Sequence, residues 1–445
     1  MAQSSDTLGR HVHRRPVLHR SATTLGALRT IGAAAIFSAL LSAPLVTDAL
    51  DAKKVSTTEW ISGKVPRFSI KLDMKQEFGN RYEEVRNRLL ERNKRGEDLP
   101  CSSQILKELS WLILYTARRY DVEQRFLDLE SSLNNPNQDF AFHQSARDGS
   151  WGSCHKEWFL KLDASVDPLK ELAIAGKEPK FPLRFLESIS TADQITALFN
   201  DLIVSHVGRD GRNKRKELNM VVSSLGQLLF LPDLESVLPN SWPRDELATA
   251  LIQFMDDKWQ NPTTGYWGAW YEEDGKVVKT DDLSITFHIV SYRNGKVEQW
   301  PTIVDHTFRI REMHYPYGWH YQGMQNNHHA YDVTRLLRLG WSEMTFLQKA
   351  RARAELFIML ARAQRLSMNY DGEFNAEPYN KVAEAYYFGV SFFDEAGYFR
   401  PSKRFWTSIN FDSEPLRQLI LGNLRKLNSE DPMAAAALRK LETTD

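Results

Sequence analysis

Apolar side chains beyond about residue 80 recur with the spacing of α-helices. Ile105, Leu109 and Leu112 lie four and seven positions apart, which places them on one face of a helix. Thr191 and Gln194 have the form of a capping box, so a helix is predicted to begin after Thr191. Three further helical patterns lie in the C-terminal part of the chain, at 344–366, 377–392 and 413–426.

Two more helices are predicted from their capping residues. Asp281 or Asp282 can cap one helix, and Asn326 or Asn327 can cap the next. Strand patterns are few, and the clearest is residues 270–278, where an Asp-Gly pair can form the turn of a short hairpin. The pattern therefore predicts an all-α fold with at most a minor β-hairpin.

A turn of one form recurs along the chain. Residues 144–151 and 260–267 both read Q-x4-G-x-W, and residues 371–374 and 395–399 are weaker copies. Glycine permits a positive φ at a sharp turn, and the aromatic residue that follows can fold back onto a helix end. A helix–turn–helix unit repeated in this way predicts a closed or stacked helical array.

This turn resembles the QW motif of terpenoid cyclases. Similar Gly-aromatic turns are common in the glycoside hydrolases and polysaccharide lyases that fold as α/α toroids. The resemblance implies an α/α toroid, an incomplete or closed barrel of helical hairpins, and says little about the reaction. The D-x-D-D and D-D-x-x-D motifs of terpene chemistry are missing from the sequence, which argues against that reaction.

The N-terminus has the layout of a secretory signal. A basic region precedes an uncharged apolar stretch at 31–46, and small residues follow it. We therefore expect residues 1–52 to be a signal peptide and processing region, and 53–445 to be a single toroid catalytic domain. The protein would be exported, periplasmic or extracellular, with no stable membrane span after signal removal. Cys101 and Cys154 could pair after export, although nothing in the sequence shows that they do.

The overall charge is balanced. Lys and Arg together number 57, as do Asp and Glu, so no global field would recruit nucleic acid. Charge-based recognition must therefore be local. The loop at 209–216 carries five cations, which could attract an anionic polymer or simply be solvated.

Candidate chemistry is concentrated between residues 306 and 332. This segment holds five of the 12 histidines and four tyrosines, in a sequence that suits a loop between two helices. A second candidate is a helical stripe, formed by Asp281, Ser284, His288 and Tyr292. Asn, His, Tyr and Arg suit β-elimination from a uronate sugar, because the carboxylate must be neutralised before a base removes the adjacent C5 proton.

Asn326-Asn327-His328 resembles the Asn-Asn-His element of α/α-toroid alginate lyases. Arg311 and Tyr317 resemble the Arg and Tyr of those lyases, although here they precede the His instead of following it. The resemblance implies a lyase for uronate polysaccharides, alginate or polyglucuronate in type and similar to polysaccharide lyase family 38. It also implies that Asn and His act together at the carboxylate of an anionic polysaccharide.

These considerations give a specific site prediction. Asn327 and His328 would neutralise the carboxylate with help from Arg311, and Tyr317 would be base and acid, with Tyr315 or Tyr331 as the alternative base. His288 would bind the carboxylate or support proton transfer. The predicted substrate-binding residues are Trp270, Trp319, Tyr315, Tyr331 and Arg309. We expect no cofactor and no metal ion.

Two other functions fit the sequence. The carboxylate doublets at 256–257, 272–273 and 281–282 could supply a pair for glycoside hydrolysis on the same scaffold, although adjacent helix residues point in different directions. The alternative is a non-catalytic, carbohydrate-binding helical protein.

Overall fold

The structure is a computed structural model, and it is mostly helical with a small four-stranded sheet. It describes residues 58–66, 74–95, 97, 99–135, 143–320, 326–379, 381–427 and 431–443. The predicted signal region, 1–52, lies outside the described residues, as do residues 321–325 of the histidine-rich segment.

The α-helices of the described residues are numbered in chain order. They are α1 (Lys75–Lys94), α2 (Pro100–Tyr115), α3 (Arg119–Asn134), α4 (Trp158–Ile174), α5 (Ala192–Leu202), α6 (Val207–Asp210), α7 (Arg215–Phe230), α8 (Arg244–Gln253), α9 (Leu283–Tyr292), α10 (Trp300–Arg309), α11 (Asn327–Leu339), α12 (Phe346–Leu366), α13 (Val382–Glu395), α14 (Glu414–Leu424) and α15 (Pro432–Glu442). A π-helical segment, Phe254–Trp259, continues α8.

The predicted caps form. Thr191 and Gln194 make the full capping box of α5, Asp282 accepts a hydrogen bond from the third residue of α9, and Asn326 caps α11 in the same way. The helix expected from residue 377 begins only at Val382, whereas the helices predicted on either side of it agree within two residues.

The predicted hairpin forms, but the sheet is larger than expected. Strands β3 (Trp270–Glu273) and β4 (Lys276–Lys279) pair antiparallel around a turn in which Asp274 and Gly275 both have positive φ. Two very short strands join the edges in parallel, β1 (Thr58–Trp60) on β4 and β2 (Val204–Ser205) on β3. The expectation of at most a minor hairpin was therefore wrong, because strands of two or three residues are too short for alternation to show.

A series of helices packs side by side. Helix α7 packs against α9, α9 against α11, and α11 against α13, while α13 also contacts α1, α1 contacts α2, and α2 contacts α7. Three contacts join α7 and α9, and they follow the same order along both helices: Arg215 with Asp282, Asn219 with Ser284, and Ser223 with Tyr292. The two helices therefore run parallel. Helix α8 packs on α7, and α10 and α12 pack on α11.

The two full copies of the recurring turn have the same hydrogen bonds. The side-chain amide of Gln144 donates to Gly149 O at 3.0 Å, and that of Gln260 donates to Gly265 O at 2.9 Å. Gly149 and Gly265 have φ of 75° and 71°. The glycines of the two weaker copies also have positive φ, so all four turns share this conformation.

The tryptophan of each full turn docks on the helix that follows it. The backbone N–H of Trp151 donates to Ser165 Oγ on α4, and that of Trp267 donates to Thr286 Oγ1 on α9. Both side chains are buried. The turn repeat therefore has a structural role, because it attaches the incoming chain to the helix that follows.

Cys101 and Cys154 form a disulfide bond, a point that the sequence left open. The bond joins α2 to the segment that follows the first full turn. Among the described residues, no helix combines the length and the apolar character that crossing a bilayer requires.

Replacing Gly149 by Ala tests the role of the turn. A Cβ there would lie 2.0 Å from Pro182 O, on a backbone with φ of 75°. We expect unfolding to require about 3 kcal/mol less free energy, because the left-handed conformation costs about 1–2 kcal/mol and the forced shift about 1–3 kcal/mol. Gly176→Ala is the matched control, since its φ is 61° but nothing lies within 4 Å of the new Cβ. Equal losses in urea denaturation would contradict the steric argument.

Candidate functional site

Polar side chains from several helices of the series face one interior region. Lys107 on α2 and Asp163 on α4 form an ion pair at 2.5 Å, with 46% and 26% of their side chains exposed. Burial is the largest single influence on the pKa of Lys107 and lowers it, but Asp163, Glu384 and Asp167 together outweigh burial, so the pKa is raised. Because both groups contact water and are still desolvated, we infer that they line a recess enclosed by protein. We call this recess the inner cleft.

Lys216, the second residue of α7, is a central group of the inner cleft. Its pKa is lowered to about 8, first by burial and then by the positive charges of Arg215 and Lys107. Asp163 opposes this shift. An amine with this pKa is partly neutral near neutral pH, so it can accept a proton, which an ordinary lysine cannot do.

His288 faces the same cleft from α9. Burial, followed by the charges of Arg215 and Lys216, lowers its pKa to about 3, so the ring is neutral at neutral pH. Its ring stacks on Tyr292 with centroids 5.7 Å apart, as the predicted stripe on this helix requires. Within the part of the chain that the structure describes, Nδ1 of His288 is buried and has no hydrogen-bond partner.

His328, the second residue of α11, is the other cleft histidine, and 29% of its side chain is exposed. Its ring stacks on Phe388 of α13 at 3.9 Å. Burial lowers its pKa well below the usual range, and the nearby His329, His288 and Lys216 lower it further. The structure therefore brings two neutral imidazoles and Lys216 into electrostatic range of one another.

Beyond Tyr292, the cleft is lined by aromatic rings and by two further lysines, Lys170 and Lys440; we call this part its aromatic end. Lys170 pairs with Asp167 at 3.0 Å, and its charge acts on the Tyr292 hydroxyl. Burial raises the pKa of Tyr292 to about 12. From α15, the Lys440 ammonium lies 4.6 Å from the centre of the Tyr387 ring.

A buried ion pair fixes the start of two of these helices. Arg215 donates to both oxygens of Asp282 at 2.6 and 2.8 Å, and both side chains are almost fully buried. The same Asp282 carboxylate accepts the N–H of Ile285 and caps α9. Lys216 follows Arg215 directly, so the pair also determines where the cleft amine projects.

Two predicted residues lie beside the cleft histidines. Tyr315 stacks on His329 at 3.8 Å, and its hydroxyl donates to Asp332 at 3.1 Å. Burial raises the pKa of Tyr331, and Tyr387 and Tyr292 at the aromatic end raise it further. Asn327 points elsewhere, because its amide donates to Ser367 Oγ at 2.9 Å and lines a separate cavity.

The predicted pair, Arg311 and Tyr317, does not lie beside the cleft histidines. Tyr317 is only 9% exposed, and its hydroxyl lies 3.3 Å from the Tyr271 hydroxyl. Arg311 donates to Glu355 on α12 at 2.9 Å. Arg309 is exposed at the last residue of α10.

The two predicted sugar-stacking tryptophans have no open ring face. Trp319 is 1% exposed, and its indole N–H donates to Thr307 O. Trp270 is 7% exposed, with the Lys279 ammonium 3.6 Å from the ring centre and Trp60 against it. Both rings pack as part of the core.

The charge clusters singled out in the sequence are mostly paired. Asp281 lies 3.1 Å from His306 Nε2 and Asp256 pairs with Arg293, so neither belongs to an exposed carboxylate pair. Among the residues that the structure describes, every cation of the basic loop except Lys216 forms an ion pair: Arg209 with Asp210, Arg212 with Glu217, Lys214 with Asp201 and Arg215 with Asp282.

The sequence interpretation missed Lys107, Asp163 and Lys216 as cleft residues. A usable signal existed, because Asp163, Asp167 and Lys170 recur at helical spacing on a helix whose other residues are mostly apolar. Lys216 was hidden among the other cations of its loop. Among the described residues, no group of three His, Cys, Asp or Glu side chains is arranged to hold a metal ion.

Comparison with family models, with curated proteins and with solved structures gave no match for this chain. The site must therefore be interpreted from its own geometry.

The low pKa of His288 predicts a specific loss of stability in acid. The unfolded chain takes up a proton near the ordinary histidine pKa of 6.5, whereas the folded chain does so only near 3. Falling pH therefore favours the unfolded state across that window, by up to about 1.4 kcal/mol per pH unit. In urea denaturation, His288→Asn should reduce this slope, whereas exposed His314→Asn should not. Equal slopes in the two variants would mean that folding does not lower the pKa of His288.

Proposed function

We propose that the protein is a lyase that cleaves a uronate-containing polysaccharide by β-elimination in the inner cleft. The observation that carries the proposal is the position of Lys216, which faces two neutral histidines and the Lys107–Asp163 ion pair. Strongly perturbed titratable groups that share a cleft are typical of active sites. The lysines suit an anionic substrate, and the amine of Lys216 suits proton abstraction.

We further propose that the helices form an α/α toroid. The contacts from α1 through α2, α7, α9, α11 and α13 return to α1, as an inner ring would require. Helices α7 and α9 are parallel, so the chain must run back between them, and α8 packs on α7 as an outer helix would. The inner cleft would then lie at the centre of the ring.

In the proposed reaction, Lys107 holds the uronate carboxylate, since its raised pKa keeps it charged. The neutral imidazoles of His288 and His328 donate hydrogen bonds to that carboxylate and stabilise the charge that develops on it. Trp270, Trp319, Tyr317 and Arg311 are not part of this proposal, because their partners or their burial keep them from the cleft histidines.

Lys216 is the proposed base and acid. Its neutral amine takes the C5 proton, the electron pair of that bond forms the C4=C5 double bond, and the C4–O bond breaks with its electrons leaving on the glycosidic oxygen. The Lys216 ammonium then returns the proton to this oxygen, so the amine is restored and the products are an unsaturated uronate and a new chain end.

Export is part of the proposal. The signal-like segment at 1–52 and the Cys101–Cys154 disulfide both suit an oxidising, extracytoplasmic compartment, which is also where polysaccharide substrates occur.

Glycoside hydrolysis is the second candidate function, because Asp163 and Glu384 both act electrostatically on Lys107. A hydrolase needs one carboxylic acid that stays protonated. Burial works to raise the pKa of Asp163, but Lys107, Lys216 and His155 together outweigh burial and lower the pKa, so Asp163 does not fit that role. This is why we rank hydrolysis second.

Incubation with alginate, polyglucuronate, pectate and glycosaminoglycans separates the functions. A lyase product absorbs in the ultraviolet, because its new double bond is conjugated with the carboxylate, and we expect this signal from at least one uronate polymer. New reducing ends without that absorbance would mean hydrolysis. Binding without any product would mean a carbohydrate-binding protein.

Replacing Lys216 by Gln tests the proposed base. We expect kcat/KM to fall roughly 100- to 10,000-fold, the usual contribution of a positioned acid–base group. In the parent protein, kcat/KM should rise with pH through an inflection at about pH 8, where Lys216 becomes neutral. The variant should lack that inflection. Lys276→Gln, on an exposed position of β4, is the matched control. An unchanged pH profile in K216Q would exclude Lys216 as the base.

A further inference from the structure

A second recess of about 810 Å³ lies beside the inner cleft, and we call it the side cavity. Its wall combines residues of α1, α2, α11 and α12 with the segment that precedes α13, including Tyr82, Leu114, Asn327, Arg362 and Tyr379. The volume falls in the range of about 300–1,000 Å³ that is typical of small-ligand sites. Neither the cleft lysines nor His288 line it.

The wall of the side cavity is chemically mixed. Three lysine or arginine side chains and three carboxylates line it, together with the imidazole of His320: Lys75, Arg86, Arg362, Glu83, Glu312 and Glu377. Amide side chains and apolar carbons, such as those of Asn327 and Leu114, alternate with them. Such a wall does not select a ligand by net charge. It suits sugar rings, whose hydroxyls bond to planar polar groups and whose C–H faces pack on apolar carbons.

A row of stacked aromatic rings lies between the side cavity and the inner cleft. Tyr379 lines the cavity and stacks on Phe388 at 6.1 Å, and Phe388 in turn stacks on the cleft residue His328 at 3.9 Å. Asn327 and His328 are neighbours at the start of α11, and their side chains serve the cavity and the cleft respectively. A chain of linked sugars that occupied both recesses would cross this aromatic wall.

We propose that the side cavity binds the sugar units adjacent to the one that is cleaved, through their hydroxyl groups and ring faces. This inference rests on the proposed function and deepens it: the inner cleft recognises the carboxylate, and the side cavity recognises chain length. Affinity should therefore depend on the number of sugars even where the added sugars carry no charge.

The test compares Leu114→Trp with Leu127→Trp. Leu114 is 41% exposed and lines the side cavity, so we expect an indole there to take up cavity space, whereas Leu127 is 58% exposed on α3 and does not line the cavity. Binding is measured by calorimetry on K216Q protein, which should not consume its ligand. The probes are a disaccharide, a tetrasaccharide and a hexasaccharide from alginate and polyglucuronate, with neutral cello-oligosaccharides of the same lengths.

We expect the uronate hexasaccharide to bind about tenfold more tightly than the disaccharide, as one or two added hydrogen bonds would give. Leu114→Trp should remove this gain and leave disaccharide affinity unchanged, and Leu127→Trp should do neither. A gain that survives Leu114→Trp, or no binding of any probe, overturns the inference.

Cleavage by the protein without the Lys216 change is measured in parallel. Cleavage without a length effect leaves the proposed function standing and rejects the side cavity as a subsite. A Leu114-dependent length effect without cleavage of any polymer would reject the proposed lyase function and leave the side cavity as a site that binds additional sugars.

Discussion

The buried ion pair between Arg215 and Asp282 is the contact on which the rest of the structure depends. It joins the start of α7 to the start of α9, and the same carboxylate caps α9. Breaking such a pair by removing one partner typically costs about 3–5 kcal/mol, because the other charge is left buried and alone. The guanidinium also contributes to the lowered pKa of Lys216 and of His288. One interaction therefore sets both the register of two helices and the electrostatics of the cleft beside them.

Adjacent residues at these helix starts have opposite tasks. Arg215 is buried in its ion pair while Lys216 faces the cleft, and His329 packs in the core against Tyr315 while His328 faces the cleft. A helix turns by about 100° per residue, so a doublet necessarily divides between two surroundings. The buried member fixes the backbone, and its neighbour is thereby directed toward the cleft. In Arg215-Lys216 and in His328-His329, one residue is thus a structural anchor and its neighbour is a candidate functional group, so the two residues do not act as a pair.

Much of the fold could be predicted from local patterns, since caps and turns depend on a few neighbouring residues. The capping box at Thr191, the cap at Asp282 and the positive φ of Gly149 and Gly265 were all predictable in this way. The strands β1 and β2 were not, because they exist only through pairing with a distant hairpin. The site was harder for the same reason. Nothing local distinguishes Lys216 from the other cations of its loop, and only the packing of α7 against α9 brings it to His288.

The two cleft lysines give the strongest reason to regard the cleft as a site of proton transfer. Lys107 and Lys216 act on each other electrostatically, yet the pKa of Lys107 is raised and that of Lys216 is lowered. The difference has a local cause, since Asp163 forms a close ion pair with Lys107 but acts on Lys216 only as a secondary influence that burial and two cations outweigh. Similar groups whose surroundings drive their pKa values apart are a recurring arrangement where one must stay charged and the other must exchange a proton. β-Elimination from a uronate needs both, a permanent cation at the carboxylate and a neutral base at the adjacent carbon.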